Sequence, residues 1–500
     1  MDISFKSVVR ERGIADIFLE ACRYAVFILF CILAIRFIFI TFNNVSKKGL
    51  IICWVIFLTV FLLSWLKTKM SLYGFIILVP LVSGLQLIGV MRNISLPSFI
   101  FSSFYTSWIL KHLYYGKGNF SPKSEIGNLV DIFSGTVLLS LVSIICIYPA
   151  DFTLYRFWLP AQGQDDIFYG IESAYVLLQG LFFYRILENE MLDINEWKRF
   201  KLLIYIQAVI IIIFSLVQIL FHIPGLYWPR LGINAPFDDL HSYASCILIF
   251  IFIFWAHIYD EKRRFKIMNA FFLGLFLILI ILTGSKIAWL SLSIVGIGLI
   301  YRSSGRKAVI IALCLLVGIL VYLNIFNPQW LDKDLLGRID AFSSILKYQE
   351  SGAFQSRSYL WHRALNIIEE NPFLGTGIGT FFRVSTAYYP TYGPYGTTWH
   401  ENAHNYYLQI AAELGIPALC LFLFIIFTIY NKSLQLLSIS DEIGINTYIK
   451  GLLLGLTAYL MTCLTGHPLL HVTQQFMFWF IIAAIMMPSN LSKMMKEASK

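Results

Sequence analysis

The chain has 500 residues, 58% of them hydrophobic and only 13% charged, with a formal net charge of +9. Soluble proteins carry about 25% charged residues, so this composition, with a mean hydropathy of +0.72, excludes a soluble globular protein. The positive excess does not imply nucleic acid, because polytopic membrane proteins place Lys and Arg in cytoplasmic loops to set their topology.

In chain order, residues 1–23 read as a retained cytoplasmic tail. They carry Lys6, Arg10, Arg12 and Arg23 among acidic residues and lack a small-residue cleavage site. About fourteen apolar runs near 20 residues long follow. Eleven fall in 24–326: 24–42, 49–66, 71–90, 97–115, 127–148, 168–187, 202–221, 240–258, 268–283, 286–301 and 308–326. Three fall in 405–487: 405–430, 448–466 and 472–487. Residues 327–404 form one large polar loop between them, and 488–500 a second cytoplasmic tail. The expected fold is an all-α polytopic membrane protein. With the N-terminus inside, the inward segments hold about twice as many Lys and Arg as the outward ones, which predicts both termini in the cytoplasm. The eight cysteines lie in or beside apolar runs, so neither a disulfide nor a Cys-type metal site is expected.

This topology puts distant polar residues on one outer face: Arg230, Lys286, the 327–404 loop, His404, His467 and His471. Within the loop, Ser356–Asn371 reads as an amphipathic helix. Leu360, Ala364, Ile367 and Ile368 share a face, Ser356 can cap the start and Pro372 ends it. Gly375-Thr-Gly-Ile-Gly379 follows. It lacks the Lys-Ser/Thr ending of a phosphate-binding loop and is expected to be a flexible turn. The loop then runs into Trp399-His-Glu-Asn-Ala-His-Asn405, and the chain becomes apolar and helical. A neutral imidazole at His404, where helix meets water, can accept a proton from a hydroxyl.

His404-Asn405 is followed after nine residues by Gly415. With Arg357…Arg363, Gly375-x-Gly-x-Gly379 and Leu282-Thr-Gly-Ser-Lys286, this resembles the O-antigen ligase and polymerase superfamily over roughly residues 205–430. The resemblance implies a glycosyltransferase C-like core in the bacterial inner membrane, with the large loop periplasmic. It also implies an undecaprenyl-diphosphate-linked glycan as donor and no metal or other cofactor. The acceptor would be lipid A-core or a second glycan, and a chain-length regulator is a candidate partner. His404 would be the catalytic base, and Arg230 would hold the donor's diphosphate through the planar fork of a guanidinium. Lys286 stands where the family usually has arginine; it would neutralise phosphate without the fork. Arg357, Arg363, Asn405 and His467 are further candidates for substrate contact.

Two other readings compete. His400-Glu401-x-x-His404 on a helix would present two histidines to zinc, as in a membrane metalloprotease. Alternatively, many spans alone would suit a lipid-glycan flippase or transporter.

Overall fold

The protein is described by a computed structural model over residues 14–44, 47–84, 95–115, 124–147, 166–191, 194–221, 239–260, 263–301, 352–388, 402–439 and 443–498. Among these residues every regular element is helical. The helices are α1 (Ile14–Asn44), α2 (Lys47–Leu66), α3 (Thr68–Gly84), α4 (Leu96–Tyr114), α5 (Glu125–Ile147), α6 (Asp166–Glu190), α7 (Ile194–Leu220), α8 (Leu240–Asp260) and α9 (Arg263–Thr283). They continue with α10 (Lys286–Tyr301), α11 (Gly352–Glu370), α12 (Phe381–Tyr388), α13 (Tyr406–Leu414), α14 (Ile416–Ile439), α15 (Ile443–Thr462) and α16 (Val472–Ala498). A single 3-10 turn, Pro468–Leu470, joins the last two.

The chain is thus an all-α, multi-pass membrane protein. Among the described residues, seven helices are long and apolar enough to cross a bilayer: those containing Arg23–Asn43, Gly49–Leu66, Glu125–Cys146, Lys198–Leu220, Leu240–Ile258, Phe265–Thr283 and Ile416–Leu437. Three more are apolar but shorter: Thr68–Pro80, Lys286–Tyr301 and Val472–Pro488. Helices α4, α6 and α15 also fall on expected spans but carry more polar residues; the expected span 308–326 lies outside the described residues. Helix α4 shows why hydropathy misses such elements. Ser98, Ser102, Ser103 and Ser107 are all buried, and their hydroxyls bond to Gln179, Tyr175 or backbone carbonyls. Polar groups in a bilayer must be satisfied internally, and these are.

Helix α8 is central. From Tyr243 to Phe254 its side chains are buried without interruption. It packs most closely on α15 because Gly451 and Gly455, four apart, leave no side chain in the way. A Cβ at Gly455 would lie 2.8 Å from the Ile249 Cα, and one at Gly451 2.9 Å from the Ile253 Cα. This is the small-xxx-small contact of membrane helices. The pair matters for function because the first turn of α8 and the segment after α15 reach the same end of the bundle. At the far end of α6 from the glycine turn, Arg185 and Arg23 share Asp131, with Arg185 also on Glu188, tying α1, α5 and α6 together.

The structure also corrects the sequence reading at one boundary. The apolar run expected as one span over 405–430 is two helices, α13 and α14, broken at Gly415. Gly415 has φ +89°, and the Ile416 N–H donates to the Pro372 carbonyl at 2.8 Å. The spanning segment therefore begins at Ile416, and α13 is a separate short helix before it.

Candidate functional site

Four segments meet at one end of the bundle. The first is the start of α8, where the Asp239 carboxylate accepts the Ser242 N–H at 2.7 Å and caps the helix. His241, on the first turn, lies with Nδ1 3.3 Å from the Ser285 hydroxyl. That contact fixes the second segment, the Thr283-Gly-Ser-Lys286 turn between α9 and α10. The turn is closed by the Ser285 N–H donating to the Thr283 hydroxyl at 3.2 Å, with Gly284 at φ +65°. Lys286, half-buried, opens α10. The third segment is Asn402–Asn405, and the fourth is the Gly466–His471 connection after α15.

His404 is the only non-glycine with positive φ among the described residues, at φ +47°. Histidine tolerates this region better than most side chains, but at a conformational cost. Its neighbours hold it there. The Ala403 N–H donates to the Gln409 side-chain oxygen at 2.8 Å. Asn405 is the N-cap of α13, its side-chain oxygen accepting from Tyr407 and Leu408 at 3.0 and 3.1 Å. The Tyr406 N–H is shared between the carbonyls of Cys463 and Gly466, at 2.9 and 3.1 Å. The imidazole meets the His467 ring edge-to-face at 4.8 Å between centroids, and His467 faces His471 at 5.9 Å.

Burial is the main reason that the His404 imidazole is pushed down to about 4; the Arg357 and His241 charges add to this, and Asp239 opposes it. The His467 imidazole is also held well below its usual value, first by burial and then by His471 and His404. Burial raises the Asp239 carboxyl, but His471, His241 and the Ser242 hydrogen bonds outweigh it, and its net shift is downward. His404 therefore remains a neutral base throughout the physiological range, beside a carboxylate able to stabilise the imidazolium that forms when it takes a proton. The sign follows directly. The folded pKa lies below the unfolded value near 6.5, so the stability gained from the neutral ring is present above that value and lost as pH falls through about 4. A pH profile of kcat/KM in any assay of the chain should keep its basic form intact to well below pH 6. An acid limb centred near 6.5 would show His404 to be solvated or idle.

Arg357 and Arg363 both lie on α11 and are half-buried, but only Arg357 is among the charges that perturb His404. Arg230 falls in 222–238, outside the described residues. His400 and Glu401 lie outside them as well. Residues 402–405 are not helical and α13 starts at Tyr406, so the second histidine of His-Glu-x-x-His precedes the helix that would pair it with the first. Among the described residues no three His, Cys, Asp or Glu side chains converge in chelating positions.

The loop helix α11 starts at Gly352, earlier than the expected Ser356 cap. Its Leu360, Ala364 and Ile367 pack with Phe381, Ala403 and Ala412 as a small core, Ile368 lying against it. The Gly375–Gly379 turn, expected to be flexible, is instead tightly seated. Thr376 and Gly377 donate to the carbonyls of Ala412 and Glu413 at 3.0 and 2.9 Å, and the Ile378 N–H donates to the Ser140 hydroxyl on α5 at 2.8 Å. A Cβ at Gly375 would lie 2.4 Å from the Glu413 carbonyl, and one at Gly379 2.7 Å from the Ser173 hydroxyl on α6. The glycines allow close approach, to the α13 backbone at Gly375 and to the first turns of α6 at Gly379. Asp239, Gln409, Glu413 and His471 carry no motif. Their only sequence signal is a polar residue inside or beside an apolar run.

Residues 270–423 match the model of the O-antigen ligase family. A protein of Rickettsia conorii, provisionally named a polysaccharide ligase, is 32% identical over 124 residues, 23% of this chain and 29% of that protein. The match thus spans less than a third of that relative's length. The matched family segment takes in the Thr283–Lys286 turn, Arg357, the Gly375–Gly379 turn and His404 through Gly415, so over residues 270–423 the chain is similar to the O-antigen ligase family.

Proposed function

We propose that this protein is a glycosyltransferase of bacterial envelope polysaccharide assembly, acting at the outer face of the inner membrane. The observation that carries the reading is His404: an imidazole kept neutral by burial, held in a defined backbone turn, with Asp239 near enough to favour its protonated product. The donor is an undecaprenyl-diphosphate-linked glycan. The acceptor is a hydroxyl of lipid A-core or of another glycan. Both termini are cytoplasmic, and the periplasmic segment runs from 327 through α13, between eleven spans in 24–326 and three in 416–487, on a glycosyltransferase C-like core.

In the reaction, His404 takes the proton as the acceptor hydroxyl attacks the anomeric carbon, and the bond from that carbon to the diphosphate oxygen breaks with inversion. Arg230, Lys286 and Arg357 supply cationic donors to the departing diphosphate, an electrostatic role that requires no divalent ion in this scheme. Arg363, Asn405 and His467 complete the candidate substrate set; Asn405 acts through its cap on α13 and His467 through its ring contact with His404.

The test is a deletion strain with its lipopolysaccharide examined by gel. Loss of all long chains with accumulation of lipid-linked polymer identifies a ligase. A core carrying one repeat unit identifies a polymerase. A wild-type ladder, with no change in any other surface glycan, would sink the proposal.

A further inference from the structure

His404 sits in a strained backbone conformation, and strain persists only where the surroundings over-determine it. One side of the turn is held by the Asn405 cap and the Tyr406 N–H. What holds the other side is a buried pair on α13, Gln409 and Glu413, spaced one helical turn apart. The Gln409 amide bridges two structures. Its oxygen accepts the Ala403 N–H at 2.8 Å, and its nitrogen donates to the Glu413 carboxyl at 2.7 Å. That same carboxyl oxygen accepts the Phe381 N–H at 3.1 Å, at the start of α12, and the Gly379 N–H also donates to the carboxyl.

We infer that Gln409 and Glu413 are positioning residues for His404: one continuous chain of hydrogen bonds, from the glycine turn through Glu413 and Gln409 to the Ala403 amide, sets the angle at which the imidazole is presented. The inference rests on the proposed role of His404 as base. Its physical logic is that a bare carboxyl buried in an apolar helix is costly, yet here three donors converge on it, the Gly379 and Phe381 amides and the Gln409 side chain. Burial pushes Glu413 up to about 7, and the Gly379, Phe381 and Gln409 donors offset part of that rise. A Leu or Met would satisfy α13 as a helix. At Glu413 it would leave the Phe381 and Gly379 amides without that acceptor, and at Gln409 the Ala403 amide. The arrangement also makes the loop a part of the site. Displacing the glycine turn pulls on Glu413, hence on Gln409, hence on the residue before His404.

The test uses the full chain in detergent or nanodiscs, with a lipid-linked glycan donor and the acceptor found in the deletion experiment. Gln409→Met keeps size and apolar contact but removes both bonds. It is expected to lower kcat about 10- to 100-fold, the range for a misplacement near 1 Å, with KM for the donor within about twofold. Hydrogen exchange should speed up in the peptide containing Ala403 and stay unchanged in α8. Glu413→Met should behave alike, whereas Glu413→Gln, which keeps an acceptor for Phe381 and Gln409, should retain at least a third of the rate. That pair carries the test if Gln409→Met does not fold. Wild-type kcat in Gln409→Met and Glu413→Met, with His404 variants dead, would overturn the inference and leave the base assignment standing. Glu413→Gln as defective as Glu413→Met would overturn it equally. Full activity in a His404 variant would instead reject the base, and the exchange result would still report whether the hydrogen-bond chain holds the turn.

Discussion

Replacing His404 by asparagine is expected to lower glycan transfer about 10²- to 10⁴-fold, the usual contribution of a positioned general base, while leaving the protein folded. Asparagine is the informative choice. His404 has φ +47°, a region that Asn enters readily and that costs an alanine roughly 1–2 kcal/mol. His404→Ala would mix loss of the base with backbone strain; His404→Asn removes the base and keeps the turn. The Ala403 bond to Gln409 and the Tyr406 bonds to Cys463 and Gly466 are all backbone-donated and survive the substitution. Transfer measured on purified protein, alongside thermal unfolding in the same detergent, separates the two effects. A His404→Asn protein that melts like the wild type and transfers within a few-fold of it would remove His404 from the chemistry. A His404→Ala protein somewhat less stable than His404→Asn and equally inactive is the expected companion result.

The parts of this architecture that were legible in the sequence are those with a local period. The apolar runs predict helices because a bilayer leaves few alternatives, and Leu360, Ala364 and Ile367 predict the buried face of α11 because they recur at helical spacing. The break at Gly415 was also written locally, as a Gly followed by Ile-Pro, a helix end and a helix start in adjacent positions. Continuous hydropathy on both sides hides it. What no local period encodes is which ends meet. His241 touches Ser285 because α9 packs back along α8, and His404 touches His467 where Gly451 and Gly455 allow α15 to close on α8. Asp239 and His471 join the site by that same packing. Glu413 reads as an ordinary polar residue between Ala412 and Leu414. Its meaning lies in the backbone amides of Gly379 and Phe381, more than thirty positions earlier in the chain, and these become its partners only once the glycine turn is seated.

Gly415→Ala should be the most damaging of the small substitutions away from the imidazole itself. Gly415 lies at φ +89°, ψ 166°, a region that is essentially glycine's alone and costs other residues about 1–3 kcal/mol. Space compounds the strain. The added Cβ would fall 2.1 Å from the Phe373 carbonyl oxygen, 2.5 Å from its carbon and 2.9 Å from the Leu374 nitrogen. All three are backbone, so no side chain can swing aside. Either the 373–375 segment retreats or α13 separates from α14, and both moves strain the Ile416 bond to Pro372 and the Thr376 and Gly377 bonds to α13. Because 1.4 kcal/mol is a factor of ten in an equilibrium constant, the strain and the backbone overlap together lower the ratio of docked to undocked turn by about tenfold or more. The expected result is at least a tenfold loss of transfer, with faster hydrogen exchange over 372–385 and unchanged helix content in the remainder of the bundle. Gly274→Ala is the matched control. It sits inside α9, where an added Cβ meets nothing within 4 Å, and should be neutral or slightly stabilising. Equal activities for the two variants would mean that the glycine turn and α13 need not stay docked for the reaction, and that His404 is held by the helix ends alone.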